Sequence, residues 1–229
     1  MHARRAIAVA LLLTVGLGFA GAPIDAREPP QPVCAVCTAD LTEAAGERGV
    51  TIERGDSLMT VRPLPNGTSV VEARVALDRG AASLADEQVR RAIVEAVRPG
   101  VFERRKGLDT ALRGNVLVVR YSVPNTAHTT LGVLRFDAFV ASGSPPLTGG
   151  GEGTPYPGAD TLQLRAPAEY RLYGTYGDET NETTIVWHGD SHEQFAEPMD
   201  RDMIISFART GSPLPRVRVL LAGAVDWLR

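Results

Sequence analysis

The chain has 229 residues, 44% of them hydrophobic, and a formal net charge of -3. These values suit one large globular domain or two small ones, and they exclude a disordered chain and a mainly membrane-embedded one. Because the charge is nearly balanced along the chain, neither nucleic acid nor anionic lipid is an expected partner, since both require a clustered basic face.

Residues 1–26 have the three parts of a secretory signal peptide. A basic start at Arg4 and Arg5 precedes an apolar run over residues 6–22, and small residues allow cleavage after Ala20 or Ala26. The alternative is that the apolar run stays as an N-terminal anchor, because its length of about 17 residues approaches that of a bilayer span. The sequence therefore predicts an exported protein, either secreted or attached at the cell surface through this segment.

Residues 27–37 read as a proline-rich spacer that carries both cysteines, followed by a single domain over residues 38–229. Thr38 or Asp40 can cap a first short helix that runs through Glu47, with Gly49 as its stop.

Two strands over residues 57–64 and 68–77 flank Pro65-Asn66-Gly67. The Asn-Gly pair tolerates the positive φ angles of a tight turn, so this segment predicts a β-hairpin. A second helix is expected to begin at Ser83 and to stop at Pro99-Gly100, with Leu84, Val89, Ile93 and Val97 forming its apolar stripe.

Further strands are predicted after the second helix, at residues 116–123, 130–140, 161–166, 170–175, 183–188 and 203–208. A glycine- and proline-rich break at residues 142–158 marks a possible sub-boundary of the domain. We expect an α+β fold, mainly antiparallel, in which a sheet with a helix on one face continues as a second, sandwich-like sheet after residue 155.

The C-terminal segment has an apolar stripe at three- and four-residue steps, from Val217 to Leu228. Such a stripe predicts a helix that packs on the domain through its apolar side, with an interfacial membrane helix as the alternative.

Cys34 and Cys37 are the only cysteines and stand just before a predicted helix. In an oxidising exterior the pair is expected to form a disulfide. Alternatively, the cysteines join His188 and His192, whose spacing matches the ligands of a tetrahedral zinc site. Redox exchange is a third interpretation, although the proline-rich stretch before the pair does not resemble the strand of a redox domain.

No catalytic set is predicted. The segment His188-Gly-Asp-Ser-His192 holds the residue types of a hydrolytic triad, but triad members normally converge from separate elements, so a polar turn is expected there. Asn66 and Asn181 stand in Asn-X-Thr triplets and are candidate glycosylation sites. Apart from zinc in the alternative interpretation, no cofactor is implied.

Several strings together resemble a set of uncharacterised exported proteins of haloarchaea with two cysteines after the signal peptide. They are residues 32–37 (PVCAVC), 89–94 (VRRAIV), 117–124 (LVVRYSVP), 155–160 (PYPGAD) and 185–187 (IVW). The resemblance implies a domain of the cell envelope or cell surface of unknown role and of archaeal origin. Because the β patterning, the candidate glycosylation sites and the signal occur without a convergent catalytic set, we expect this domain to be non-enzymatic, structural or binding.

Overall fold

The computed structural model describes residues 31–97, 105–140, 147, 153–192, 198–200 and 202–228. The predicted signal peptide and the helix stop at Pro99-Gly100 lie outside these ranges. The strands are β1 (Gln31–Pro32), β2 (Glu53–Pro63), β3 (Ser69–Arg79), β4 (Lys106–Arg113), β5 (Val116–Val123), β6 (Ala127–Thr130), β7 (Val133–Phe136), β8 (Pro155–Tyr156), β9 (Thr161–Arg165), β10 (Tyr170–Tyr173), β11 (Glu179–Thr180), β12 (Thr184–His188) and β13 (Ile205–Arg209), and the α-helices are α1 (Ala39–Gly46), α2 (Glu87–Ala96) and α3 (Pro215–Trp227).

The largest layer is a seven-stranded sheet with the order β11-β12-β9-β2-β3-β5-β4. The predicted β2–β3 hairpin is confirmed, and Asn66 stabilises its turn by accepting a hydrogen bond from the backbone N of Thr68. Strand β4, which we did not predict, pairs with β5 at one edge. Alternate residues of the central strands are buried, so one face of this sheet lines the core and the other is open to solvent.

A smaller sheet with the order β10-β13-β7-β6 packs on the same core through Leu134, Phe136, Ile205 and Phe207. The single strand predicted over residues 130–140 is instead the hairpin β6–β7. Leu131 and Gly132 both have positive φ, at 53° and 76°, which turns the chain between them.

The strands after residue 155 do not form a sheet of their own, in contrast to the prediction. Strand β9 lies parallel to β2 and belongs to the seven-stranded sheet, as do β11 and β12. Strands β10 and β13 pair with each other and belong to the smaller sheet, in which β13 also pairs with β7. The fold is nevertheless α+β with mainly antiparallel strands, as expected. No helix among the described residues has the length and apolarity needed to cross a membrane.

Two helices lie near the predicted positions. Thr38 caps α1 by accepting a hydrogen bond from the N–H of Asp40. The cap of α2 is Asp86, not Ser83, because residues 81–84 form a separate 3-10 turn before the helix begins. The Asp86 carboxylate accepts from two free N–H groups of the first turn, which a side chain three residues earlier does not reach.

Residues 31–37 are not a spacer, contrary to the prediction. Strand β1 pairs in parallel with β8, and the backbone N–H groups of Val33 and Cys34 donate to Tyr156 and Pro157. The side chains from Val33 to Cys37 are buried in the main core. The domain therefore includes the cysteine segment.

The C-terminal helix α3 exists as predicted, but it packs through the other side. It lies on β6, β7 and β13, and Ala222 is its buried residue. Leu220 and Leu221 of the apolar stripe are 75% and 53% exposed. The prediction that this stripe faces the domain is wrong.

Replacing Leu162 with alanine should lower the free energy of unfolding by about 2–5 kcal/mol, because this side chain is 0% exposed in the parallel strand β9. Val70→Ala on the solvent face of β3 is the control, with an expected change within about 0.5 kcal/mol. Urea denaturation of the purified protein measures both. Equal losses for the two variants would contradict the assigned inner face of the sheet.

Candidate functional site

Cys34 and Cys37 form a disulfide across a 3-10 turn, with their Cα atoms 5.3 Å apart. This agrees with the first of the three interpretations of the pair. Both residues are buried between β2, β3 and the start of α1. A disulfide so enclosed is a structural element, because redox exchange needs a sulfur that a partner thiolate can reach.

Arg54 is a buried cation that holds the cysteine turn in place. Its guanidinium donates to the carbonyl oxygen of Cys37, to the carbonyl oxygen of Ser191 at 3.2 Å and to Oγ1 of Thr42 at 3.3 Å. Burial lowers the pKa of Arg54, while the negative charge of Asp160 acts in the opposite direction.

Asp160 is the acceptor that joins three segments of the chain. Its Oδ2 accepts from the backbone N of Ser57 at 2.6 Å, from Oγ of Ser57 at 2.7 Å and from Oγ of Ser191 at 2.9 Å, and its Oδ1 accepts from the backbone N of Ser191 at 3.1 Å. Burial by itself would raise the pKa of Asp160, but the hydrogen bonds from Ser191 and Ser57 outweigh it and hold the pKa below its usual value.

The zinc site is not assembled in this structure. The cysteine sulfurs are bonded to each other, and His188 is exposed with its Nε2 3.2 Å from Oε1 of Glu179. His192 is also exposed at the surface. The described ranges contain no group of three or more His, Cys, Asp or Glu side chains that could hold a metal.

The hydrolytic residue types of the same segment have structural contacts instead. The hydroxyl of Ser191 donates to Asp160, and the Asp190 carboxylate accepts from the backbone N of His192 at 2.7 Å. These contacts are those of a polar turn, as the sequence predicts.

Both candidate glycosylation sites lie on exposed turns. The side-chain oxygen of Asn181 accepts from the backbone N and the hydroxyl of Thr183, at 2.9 and 3.3 Å. Asn66 lies at the tip of the β2–β3 hairpin. Glycosylation itself stays a prediction.

The open side of the seven-stranded sheet carries a basic surface, which we call the basic face. Register places Thr60 opposite Glu72 and Glu72 opposite Arg120, with Arg62 opposite Val70 in the next row. The charged residues on this side of its five central strands are Asp56, Arg62, Glu72, Arg74, Asp78, Lys106, Asp109, Arg113, Arg120 and Arg165. Six basic side chains thus share this surface with four acidic ones, although the chain as a whole is negative.

A shallow depression of about 330 Å³ lies on the basic face, between β9, β2 and β3. Three arginines and one carboxylate line it: Arg62, Arg74, Arg165 and Glu72. Glu72 lies 2.7 Å from Arg120 and 3.5 Å from Arg74. Burial by itself would raise the pKa of Glu72. The hydrogen bonds and positive charges of Arg120 and Arg74 outweigh burial, so the pKa of Glu72 is lower than its usual value. Among the described residues, no carboxylate forms an ion pair with Arg62 or Arg165.

The basic face can bind anions. A guanidinium is planar, always charged and able to form two parallel hydrogen bonds to carboxylate, sulfate or phosphate. The sequence contains a signal for this surface, since the arginines occupy the polar positions of alternating strands. The pairing of β9 with β2, which brings Arg165 next to Arg62, has no such signal.

The comparisons with known proteins add little. No protein-family model matches the chain, and no curated protein matches it either. Among solved structures, the chain is similar to the folded domain of the LppM protein of Mycobacterium tuberculosis, with 10% identity and a TM-score of 0.27 over 71% of this chain and 91% of that one. A likeness at this level carries no argument about function.

The buried disulfide predicts a specific pattern of thiol labelling. In the native protein, a mild reductant plus an alkylating reagent should modify neither cysteine, because Cys34 and Cys37 are 1% and 0% exposed. In denaturant, the same treatment should modify both. Intact mass measures the adducts, and labelling of the folded protein without reductant would contradict the disulfide.

Asp160→Asn should destabilise the protein by about 1–3 kcal/mol at neutral pH, because the amide cannot accept all the hydrogen bonds made to the carboxylate. A carboxyl whose pKa is lowered on folding contributes stability above its unfolded pKa of about 4, and this contribution is lost as the pH falls through the folded pKa. The difference between wild type and variant should therefore shrink in acid.

Urea denaturation at neutral and acidic pH tests this expectation. Asp202→Asn, at an exposed position, is the control and should leave stability unchanged at both pH values. A wild-type advantage over the Asp160 variant that stays constant down to strongly acidic pH would contradict the lowered pKa.

Proposed function

We propose that this protein is an exported, non-enzymatic binding domain of the cell envelope whose basic face holds an anionic polymer. The observation that carries the proposal is the concentration of arginines around one carboxylate on the open sheet face, in a chain with a formal charge of -3. Because three arginines and one carboxylate line the depression, this part of the face presents a local positive charge to an anionic ligand.

The arrangement fits a polymer better than a single small anion. One row of the face runs from Arg165 and Arg62 through Val70 and Ser122 to Lys106, across five strands. At about 4.8 Å per strand this row is about 19 Å long. An extended chain with repeated carboxylate, sulfate or phosphate groups can contact both ends of the row at once.

An envelope location is supported by two further features. The sequence begins with a secretory pattern, and a disulfide is stable in oxidising compartments outside the cytoplasm. The resemblance to exported haloarchaeal proteins points to the same location.

The proposal is tested by binding of the purified protein to dextran sulfate and to polygalacturonate, which present sulfate and carboxylate groups. We expect affinity to fall as salt rises, because the contacts are ionic. The double variant Arg62→Ala/Arg165→Ala should bind at least about tenfold more weakly, since each lost charge-assisted contact is worth about 1 kcal/mol or more.

The matched control is Arg209→Ala, which removes one exposed arginine of β13 that pairs with Glu169 away from the basic face. It should bind as the wild type does. If the control and the double variant lose affinity equally, binding reflects overall charge and the proposal fails. Polymer length should be unchanged after incubation, and shortening would contradict a non-enzymatic role.

A further inference from the structure

Helix α3 directs its apolar stripe away from the domain. The stripe side chains recur at three- and four-residue steps, which places them on one side of an α-helix. Their exposed fractions include 46% for Val217, 75% for Leu220, 53% for Leu221, 86% for Trp227 and 77% for Leu228. A contiguous, solvent-facing stripe of this size usually marks a surface that binds something apolar.

The opposite side of α3 explains this orientation. Asp226 accepts hydrogen bonds from Thr130 at 3.0 Å and from Arg135 at 3.0 Å, and its Oδ2 lies 3.1 Å from Nε2 of His128. Arg135 also donates to the hydroxyl of Ser206. The side of α3 that faces the smaller sheet therefore carries the carboxylate of Asp226, which Arg135 and Thr130 bind, beside the buried Ala222.

The Asp226 contacts fix the helix in this orientation. Burial would raise the pKa of Asp226, but the hydrogen bonds from His128 and Thr130 and the positive charge of Arg135 lower it overall. The carboxylate therefore stays charged at neutral pH and bonded to the sheet. The apolar stripe on the other side is left without a partner among the described residues.

The surroundings of the stripe have the chemistry of a lipid interface. Arg216 and Arg218 flank it on its two sides, and Trp227 lies at its C-terminal end. A groove of about 980 Å³ between β10 and α3 continues the apolar surface through Leu172 and Leu214. Leucines at the centre, arginines at the borders and a tryptophan at one end are typical of helices that lie in the headgroup region of a bilayer.

We propose that α3 is a membrane-interface helix that inserts its exposed stripe into a bilayer containing anionic lipid. The charges favour this occupant over a second copy of the chain. Two stripes placed face to face would bring the flanking arginines of both copies together, whereas anionic headgroups neutralise them. This role is separate from anion binding by the basic face.

Trp227 provides the test, because the chain has two tryptophans and the other, Trp187, is 6% exposed. The full-length protein is mixed with vesicles of equal parts phosphatidylglycerol and phosphatidylcholine. We expect the emission to shift to shorter wavelength and quenching by acrylamide to fall at least about twofold as Trp227 enters the interface. Trp227→Phe should show neither change.

The double variant Leu220→Glu/Leu221→Glu should lower the affinity of α3 for the vesicles by about a hundredfold, because two exposed leucines are replaced by charges without loss of a core contact. Vesicles of phosphatidylcholine alone should bind about tenfold more weakly, because the arginines lose their counter-charge. The variant Arg62→Ala/Arg165→Ala should leave the Trp227 response unchanged, which separates this inference from the basic face.

Three results would overturn the proposal. Trp227 could remain accessible to acrylamide while the protein sediments with vesicles, which would place attachment elsewhere, for example in the N-terminal apolar segment. The glutamate variant could respond as the wild type does. Trp227 could become shielded in buffer as protein concentration rises, which would identify a second copy of the chain as the occupant.

Discussion

The parallel pairing of β9 with β2 is the contact on which the rest of the described structure depends. It places Thr161 beside Leu58 and Leu164 beside Val61, and so inserts a late strand next to the N-terminal hairpin. The register also sets which side chains meet, because neighbouring residues of a strand point to opposite faces. A shift of one residue would bring Arg165 into the core and expose Leu164. The basic face and the contacts of Asp160 with β2 both follow from this pairing.

The polar cluster at the end of this strand pair shows how the fold accommodates buried charge. Asp160 precedes β9 directly and bonds to Ser57 of β2 and to Ser191, while Arg54 bonds to the carbonyl groups of Cys37 and Ser191. Buried charges are tolerated when their hydrogen bonds are satisfied, and here the partners come from segments far apart in sequence. The same contacts occupy Ser191 and enclose the disulfide. A segment with the residue composition of a reactive site therefore serves to join strands.

The two outward surfaces differ in chemistry because they arise from different layers. The open face of the large sheet is polar by alternation, and its excess of arginine makes it suited to anions. The apolar stripe of α3 is exposed because the opposite side of the helix, with Ala222 and Asp226, packs on the smaller sheet and binds Arg135 and Thr130. The two proposed sites lie on different layers, so binding at one would not block the other.

The sequence by itself determined the elements whose signals are local. Four such signals depend on residues only a few positions apart: the Asn66-Gly67 turn, the cap at Thr38, the alternation of β3 and the periodicity of α3. The α+β class follows from these elements. The two cysteines are close enough in the chain for a disulfide to be expected. Only the tertiary structure decided the partner of β9, the position of Arg165 beside Arg62 and the side of α3 that faces the sheet. These depend on contacts between distant residues, and a stripe or an alternation shows that a face exists without showing what covers it.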